Sequence, residues 1–180
     1  MIYVFLANGF EETEAIAPID ILKRSEKEVV TVGIGGDKIT GAHGITVFTD
    51  IVDSDVIMSE KVEMIVLPGG MPGTLGLEKS PVVRSAIEYC VQNGKYIGAI
   101  CAAPSILGKM NLLEGKNATC FPGFEQFLHG AKLGDEKVYT DGNIVTAKGA
   151  GVAIEFGLAL SALVAGKAKS EAIRLSLQCK

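Results

Sequence analysis

The chain has 180 residues and a formal net charge of −4, with acids and bases interspersed along it. That length and an apolar share of 48% suit one packed domain and exclude a disordered chain. With no basic stripe to neutralise phosphates or hold an anionic surface, neither nucleic acid nor a membrane is expected as the main partner.

Residues 2–7 form a continuous apolar run ending at Asn8-Gly9, and helical spacing follows from Glu11 to Ser25 through Ala15, Ile19 and Leu22. Pro18 either kinks this helix or marks its effective start. Glu11, Glu12 and Glu14 suit a solvated first turn favoured by the helix dipole, and one of them could instead point inward over a sheet edge. Val29 to Ile34 is a second β-branched run, and after Gly35-Gly36 two short pieces, Lys38–Thr40 and Ile45–Phe48, read as a small edge hairpin. Val62 to Leu67 is a further apolar strand. It ends in Pro68-Gly69-Gly70, which is either a plain turn needing positive φ or a place where bare backbone N–H groups meet a ligand.

Ser80-Pro81 starts a helix with an N-cap hydroxyl and a first-turn proline. Val83, Ile87 and Cys90 share one face of it until Asn93-Gly94, so Cys90 belongs to the core. The strand Tyr96–Ile100 runs into Cys101-Ala-Ala-Pro104 and a short helix through Ile106 and Leu107. Ala118-Thr-Cys120 is a short strand ending at Phe121-Pro122-Gly123, and Val138–Thr140 with Ile144–Ala147 flank the hairpin signal Asp141-Gly142-Asn143. Lys148-Gly-Ala-Gly151 leads into an apolar helix over 152–164, too short to span a bilayer comfortably. Ser170 caps a last amphipathic helix to about Leu177. The alternation implies an α/β fold with a mainly parallel sheet covered on both faces, and residues 1–180 form a single domain with no repeat.

The chemistry centres on Tyr96-Ile-Gly-Ala-Ile-Cys101-Ala-Ala-Pro104. Small side chains at Gly98, Ala99, Ala102 and Ala103 let the chain turn sharply about one sulfur, in the manner of a nucleophile elbow. That turn sets Cys101 at the carboxyl edge of the sheet beside a helix N-terminus, where a thiolate is favoured. The alternative is a buried cysteine packed as a small hydrophobe. The other cysteines, Cys90, Cys120 and Cys179, make no C-x-x-C spacing with it, so neither zinc nor a disulfide framework is expected and a reducing compartment fits. The run Met1 to Ala7 reads as a core strand rather than a leader, which gives a cytoplasmic expectation.

Leu6-Ala-Asn-Gly-Phe-Glu-Glu-Thr-Glu14, Val66-Leu-Pro-Gly-Gly70 and Ala99-Ile-Cys101-Ala-Ala-Pro104 occur in an order that resembles the ThiJ/PfpI family in its deglycase branch. Lys148-Gly-Ala-Gly151 with Glu155-Phe156 resembles that branch's C-terminal signature, so the likeness covers nearly the whole chain. The resemblance implies a flavodoxin-like three-layer sandwich and a homodimer. It makes Cys101 the nucleophile and Glu14 the carboxyl group that hydrogen-bonds its sulfur, lowering the thiol's pKa and later shuttling a proton. Gly70 and Ala102 would supply oxyanion-hole N–H groups, with Gly69 shaping the same pocket.

The chain departs from that pattern in one respect. Family members often carry a histidine directly after the nucleophile or just before the proline that corresponds to Pro122, and here those places hold Ala102 and Phe121. His43 and His129 are the only histidines, each suited to a surface loop or a partner interface. A peptidase mechanism, which needs a base and a leaving-group acid, loses most of its support. The resemblance then implies a cofactor-free and metal-free glyoxalase or deglycase acting on a small electrophile such as a 2-oxoaldehyde. The alternative is a redox-sensing stress protein or chaperone whose Cys101 an oxidant converts to sulfinic acid. A peptidase or thiazole-biosynthesis role by family naming is weaker than either.

Overall fold

The computed structural model describes residues 1–179. In chain order the elements are β1 (Ile2–Leu6), α1 (Glu12–Arg24), β2 (Val29–Gly33), β3 (Lys38–Thr40), β4 (Thr46–Phe48), β5 (Ile51–Val52), β6 (Met64–Leu67), α2 (Gly73–Lys79) and α3 (Pro81–Gln92). There follow β7 (Tyr96–Ile100), α4 (Pro104–Lys109), β8 (Asn117–Ala118), β9 (Lys132–Leu133), β10 (Val138–Asp141), β11 (Ile144–Ala147), α5 (Ala153–Ala165) and α6 (Lys167–Ser176). Seven strands form one sheet in the order β10-β11-β7-β6-β1-β2-β5, parallel throughout except for the β10–β11 hairpin at one edge. The β3–β4 hairpin forms as expected, its strands bonded to each other in a separate small sheet.

Continuous apolar runs make central strands because both faces of such a sheet are covered. Along β1, Ile2, Val4 and Leu6 face one layer with Ala15 and Leu22 of α1 and Phe156 and Leu160 of α5. Tyr3 and Phe5 face the other with Ile87 and Cys90 of α3 and Leu107 of α4. The alternation follows from the period of two in a strand. Each fully buried aliphatic or aromatic side chain in these layers contributes roughly 1.5–3 kcal/mol relative to its exposed state.

Three local readings change. Helix α1 begins at Glu12 and passes through Pro18 without a break, buried against α5, although Pro18 has no N–H to offer the Glu14 carbonyl. Helix α2 carries no N-terminal capping side chain, and its Gly-Thr-Leu-Gly start hides it from helical periodicity. Helix α6 starts at Lys167 rather than at Ser170, because Gly166 at φ 88° separates it from α5. Ser170 lies inside that helix and donates its hydroxyl to the Leu158 carbonyl at 2.8 Å instead of capping.

The α1–α5 contact contains one buried polar pair, Ser25 and Ser161, with hydroxyl oxygens 2.7 Å apart. Ser25 spends its hydrogen on the Ile21 carbonyl, so Ser161 is the donor between them. Ser161→Ala is expected to destabilise the fold by about 1 kcal/mol, since Ser25 keeps its own donor bond and loses only an accepted one. A denaturant titration with unchanged slope would check this; a loss several times larger would mean that Ser161 does more than satisfy Ser25.

Candidate active site

Strand order decides where a ligand can sit. From β1 the chain moves outward to β2 and β5, then returns to the other side of β1 at β6 and continues outward to β7. The crevice between β1 and β6 is therefore the topological switch point, and the loops after β1, β6 and β7 meet at its carboxyl end. The first turn of α1, entered from the loop after β1, carries Glu14, and the other two loops carry Gly69 with Gly70 and Cys101.

Cys101 adopts φ +63°, a conformation that costs an L-residue about 1–2 kcal/mol. Backbone bonds hold it there. Its N–H donates to the Ala147 carbonyl at 2.9 Å, its carbonyl accepts from the Phe121 N–H at 2.8 Å, and Ala103 N–H closes the turn on Ile100 at 3.0 Å. Ala102 and Ala103 are buried in the bend, where larger side chains would meet the sheet layers. Cys101 is half-buried, with the N–H groups of Gly70 and Ala102 directed at its sulfur.

The three acids of α1 have three different roles. Glu11 caps the helix, its carboxylate accepting from the Glu14 N–H at 2.7 Å while its own N–H donates to Gly69. Glu12 turns to the β3–β4 connection, accepting the His43 N–H and the His43 ring Nδ1, each at 2.8 Å. Glu14 is the acid that points inward, with 1% of its surface exposed. Its Oε2 accepts from the Gly69 N–H at 3.0 Å, and the Cys101 thiol and the Ala150 N–H also face the carboxyl. Gly69 therefore serves Glu14 rather than the sulfur.

Glycine is required at both positions. A Cβ on Gly69 would lie 2.5 Å from Cys101 Cβ and 2.6 Å from Glu14 Oε2, while Gly70 sits at φ +91° with the Glu11 backbone nitrogen where a Cβ would be.

Burial raises the Glu14 carboxyl from 4.5 to about 7, against the bonds from Cys101 and Gly69 that favour its charged form. Burial likewise pushes the Cys101 thiol up to about 12, and a carboxylate at Glu14 adds to that, while the Gly70 and Ala102 N–H groups act in the opposite sense. The two groups are a pair that gives up one proton first. The expectation that Glu14 lowers the thiol is thereby corrected: burial and the Glu14 carboxylate both raise it, and a thiolate forms only in the tautomer in which Glu14 has taken the thiol's proton.

Neither histidine joins this pair. His129 is exposed in the turn after Leu128, and His43 is exposed against Glu12, whose carboxylate raises its pKa. Glu11, Glu12 and His43 bring ligand-type atoms within 4.8 Å of one another, but those atoms are engaged in the helix cap and the Glu12–His43 bond. Cys90 and Cys120 are buried, and burial pushes each thiol up to about 12. Sequence reasoning misses Ala150; the only signal for it is the small-residue run Lys148-Gly-Ala-Gly151, which lowers the backbone onto Glu14. A groove of about 450 Å³ runs beside the pair, lined by Phe121, Pro122 and the 149–152 loop, with Cys101 and Glu14 outside its lining. No helix among the described residues is long and apolar enough to cross a membrane.

The model of the DJ-1/PfpI family matches residues 1–163. The chain is 30% identical to the glutathione-independent glyoxalase DJR-1.2 of Caenorhabditis elegans, over 91% of this chain and 87% of that one. Among solved structures it resembles Drosophila melanogaster DJ-1beta with a TM-score of 0.92 at 32% identity, covering 99% of this chain and 97% of the other. It also resembles Toxoplasma gondii DJ-1 in an oxidized state, with a TM-score of 0.90 at 29% identity over 99% and 97% of the two chains.

Proposed function

The chain belongs to the DJ-1/PfpI family, and on that premise we propose that it is a cysteine-dependent glyoxalase or deglycase acting on small 2-oxoaldehydes or their adducts without metal or organic cofactor. The observation that carries this reading is the meeting of Cys101 with the buried Glu14 carboxyl and with the backbone N–H groups of Gly70 and Ala102. The glyoxalase named among its relatives supports the substrate class.

In the proposed reaction the Cys101 thiolate adds to the aldehyde carbon, forming a C–S bond. The carbonyl pair becomes an alkoxide facing the Gly70 and Ala102 N–H groups, and Glu14 gives it a proton to complete a hemithioacetal. Glu14, now a carboxylate, removes the hydrogen from that carbon, the hemithioacetal hydroxyl proton passes to the neighbouring ketone oxygen, and Glu14 returns its proton to the neighbouring carbon. The carbon bonded to sulfur is thereby oxidised and the former ketone reduced, leaving a 2-hydroxyacyl thioester on Cys101. Water hydrolyses the thioester to a 2-hydroxy acid and restores the thiol, so the sum is oxoaldehyde plus water to hydroxy acid. A carboxyl near 7 suits both directions of proton transfer at neutral pH. Without a histidine at position 121, hydrolysis has no second base, and slow turnover is expected.

The deciding assay is lactate formation from methylglyoxal in the absence of glutathione. Lactate in step with methylglyoxal loss supports the reading; methylglyoxal loss that stops at one equivalent per chain, with no lactate, would sink it. A second reading, oxidation of Cys101 to a sulfinate in a redox-sensing stress protein or chaperone, draws on the same N–H groups and on the oxidized state of the Toxoplasma protein. A homodimer belongs to both readings.

A further inference from the structure

Phe121 has an unusual position for an aromatic side chain. It stands at the edge of the site with 48% of its surface exposed, so burial does not account for it. Its N–H is bonded to the Cys101 carbonyl at 2.8 Å, which fixes the ring's origin beside the nucleophile. The ring and the Glu14 carboxyl flank the same glycine: a Cβ on Gly149 would lie 3.3 Å from Phe121 Cδ2 and 3.6 Å from Glu14 Oε1. The 450 Å³ groove therefore comes next to the Glu14 carboxyl at Gly149, and its apolar lining is Phe121, Pro122, Val152 and the small residues Gly149, Ala150 and Gly151. Two cations, Lys137 and Lys148, also line the groove, and Lys148 donates its ammonium to the Asp135 carbonyl at 3.1 Å.

We propose that Phe121 and the Gly149–Gly151 wall form a subsite for an apolar aryl substituent on the electrophile that Cys101 attacks, which makes an aryl 2-oxoaldehyde a better substrate than methylglyoxal. The inference rests on the oxoaldehyde reading and gives it a substrate class. A substituent leaving the carbonyl group as it is held between Cys101 and Glu14 has this groove beside it. An aryl ring there packs on the Phe121 ring in an offset or edge-to-face arrangement and loses apolar surface to water. A methyl group is too short to gain either. Position 121, where relatives often place a histidine, then reads substrate shape instead of moving protons.

The test compares kcat/KM for phenylglyoxal, methylglyoxal and a carboxylate-bearing 2-oxoaldehyde, in wild type, Phe121→Ala and Phe121→Leu. Each aldehyde is normalised to its reaction with free cysteine. In parallel, the rate of Cys101 alkylation by N-phenyliodoacetamide is compared with that by iodoacetamide, read by mass spectrometry. In wild type the aryl compound is expected to lead by about tenfold in both assays. Phe121→Ala should bring that lead close to one and Phe121→Leu should restore part of it, a pattern that a general structural role would not produce. An aryl lead unchanged by Phe121→Ala, or a preference for the carboxylated aldehyde, overturns the subsite. If no aldehyde is turned over, the functional reading falls while the alkylation ratio still decides the subsite: a lead lost in Phe121→Ala supports it, and no lead in wild type overturns it.

Discussion

Cys101→Ser is expected to lower oxoaldehyde turnover by about three orders of magnitude or more while leaving the fold intact. The argument begins with ionisation. The proposed nucleophile is the thiolate tautomer of the Cys101–Glu14 pair, and a serine hydroxyl cannot reach an equivalent alkoxide by giving its proton to a carboxyl near 7. What survives is the binding and N–H contribution of Gly70 and Ala102, which acts on a carbonyl that nothing attacks. Stability should change little, because the elbow is held by backbone bonds from residue 101 to Ala147 and Phe121, and serine keeps all of them. Lactate assays and melting temperatures measured side by side check both halves. Residual activity within about tenfold of wild type would mean that Cys101 is not the nucleophile. Alkylation should follow the same residue: Cys90 and Cys120 are buried, so Cys101 should dominate labelling at neutral pH over them. Its rate should rise through pH about 7, as the pair loses its first proton.

Much of this arrangement was legible before any geometry, for specific reasons. The apolar runs at 2–6, 64–67 and 96–100 admit no face for water, so they had to be central parallel strands, and the elbow after the last of them follows from the small residues around Cys101. Periodicity alone could not separate Glu11, Glu12 and Glu14. All three lie within one helical turn, and their roles are fixed by partners far away in sequence: Gly69 and Ala150 for Glu14, His43 and Ile45 for Glu12. The start of α6 differs from the sequence expectation for a related reason. A serine is a good cap on local grounds, but the Leu158 carbonyl competes for its hydroxyl, and the actual break is made by Gly166. The role of the 149–152 loop depends on how β11 delivers it over the carboxyl ends of its neighbours, and no spacing rule within the chain encodes that delivery.

Glu14→Gln should separate stability from chemistry in opposite directions, and the pH dependence identifies the cause. In the folded protein the Glu14 carboxyl is raised from 4.5 to about 7, chiefly by burial. A raised acid binds its proton more tightly in the native state than in the unfolded one. Its protonated form therefore costs the fold nothing extra below about pH 4.5, and stability falls as pH rises from there through about 7. The full penalty above that range is about 3 kcal/mol, from a shift of roughly two and a half units at 1.36 kcal/mol each. Glutamine carries no such penalty. Its amide oxygen can keep the Gly69 N–H, but the Ala150 N–H then faces an amide nitrogen, which takes back about 1 kcal/mol. At pH 8 the variant should accordingly be more stable than wild type by about 2 kcal/mol, and below pH 4.5 the advantage should vanish or reverse slightly. Turnover should fall by at least about a hundredfold in the same variant, since an amide can neither give the alkoxide its proton nor carry one between carbons. Denaturant titrations at pH 4 and pH 8, paired with lactate assays, give both readouts. Equal stability differences at the two pH values would show that Glu14 is not held protonated by its burial, and the proton-transfer role assigned to it would fall with that result.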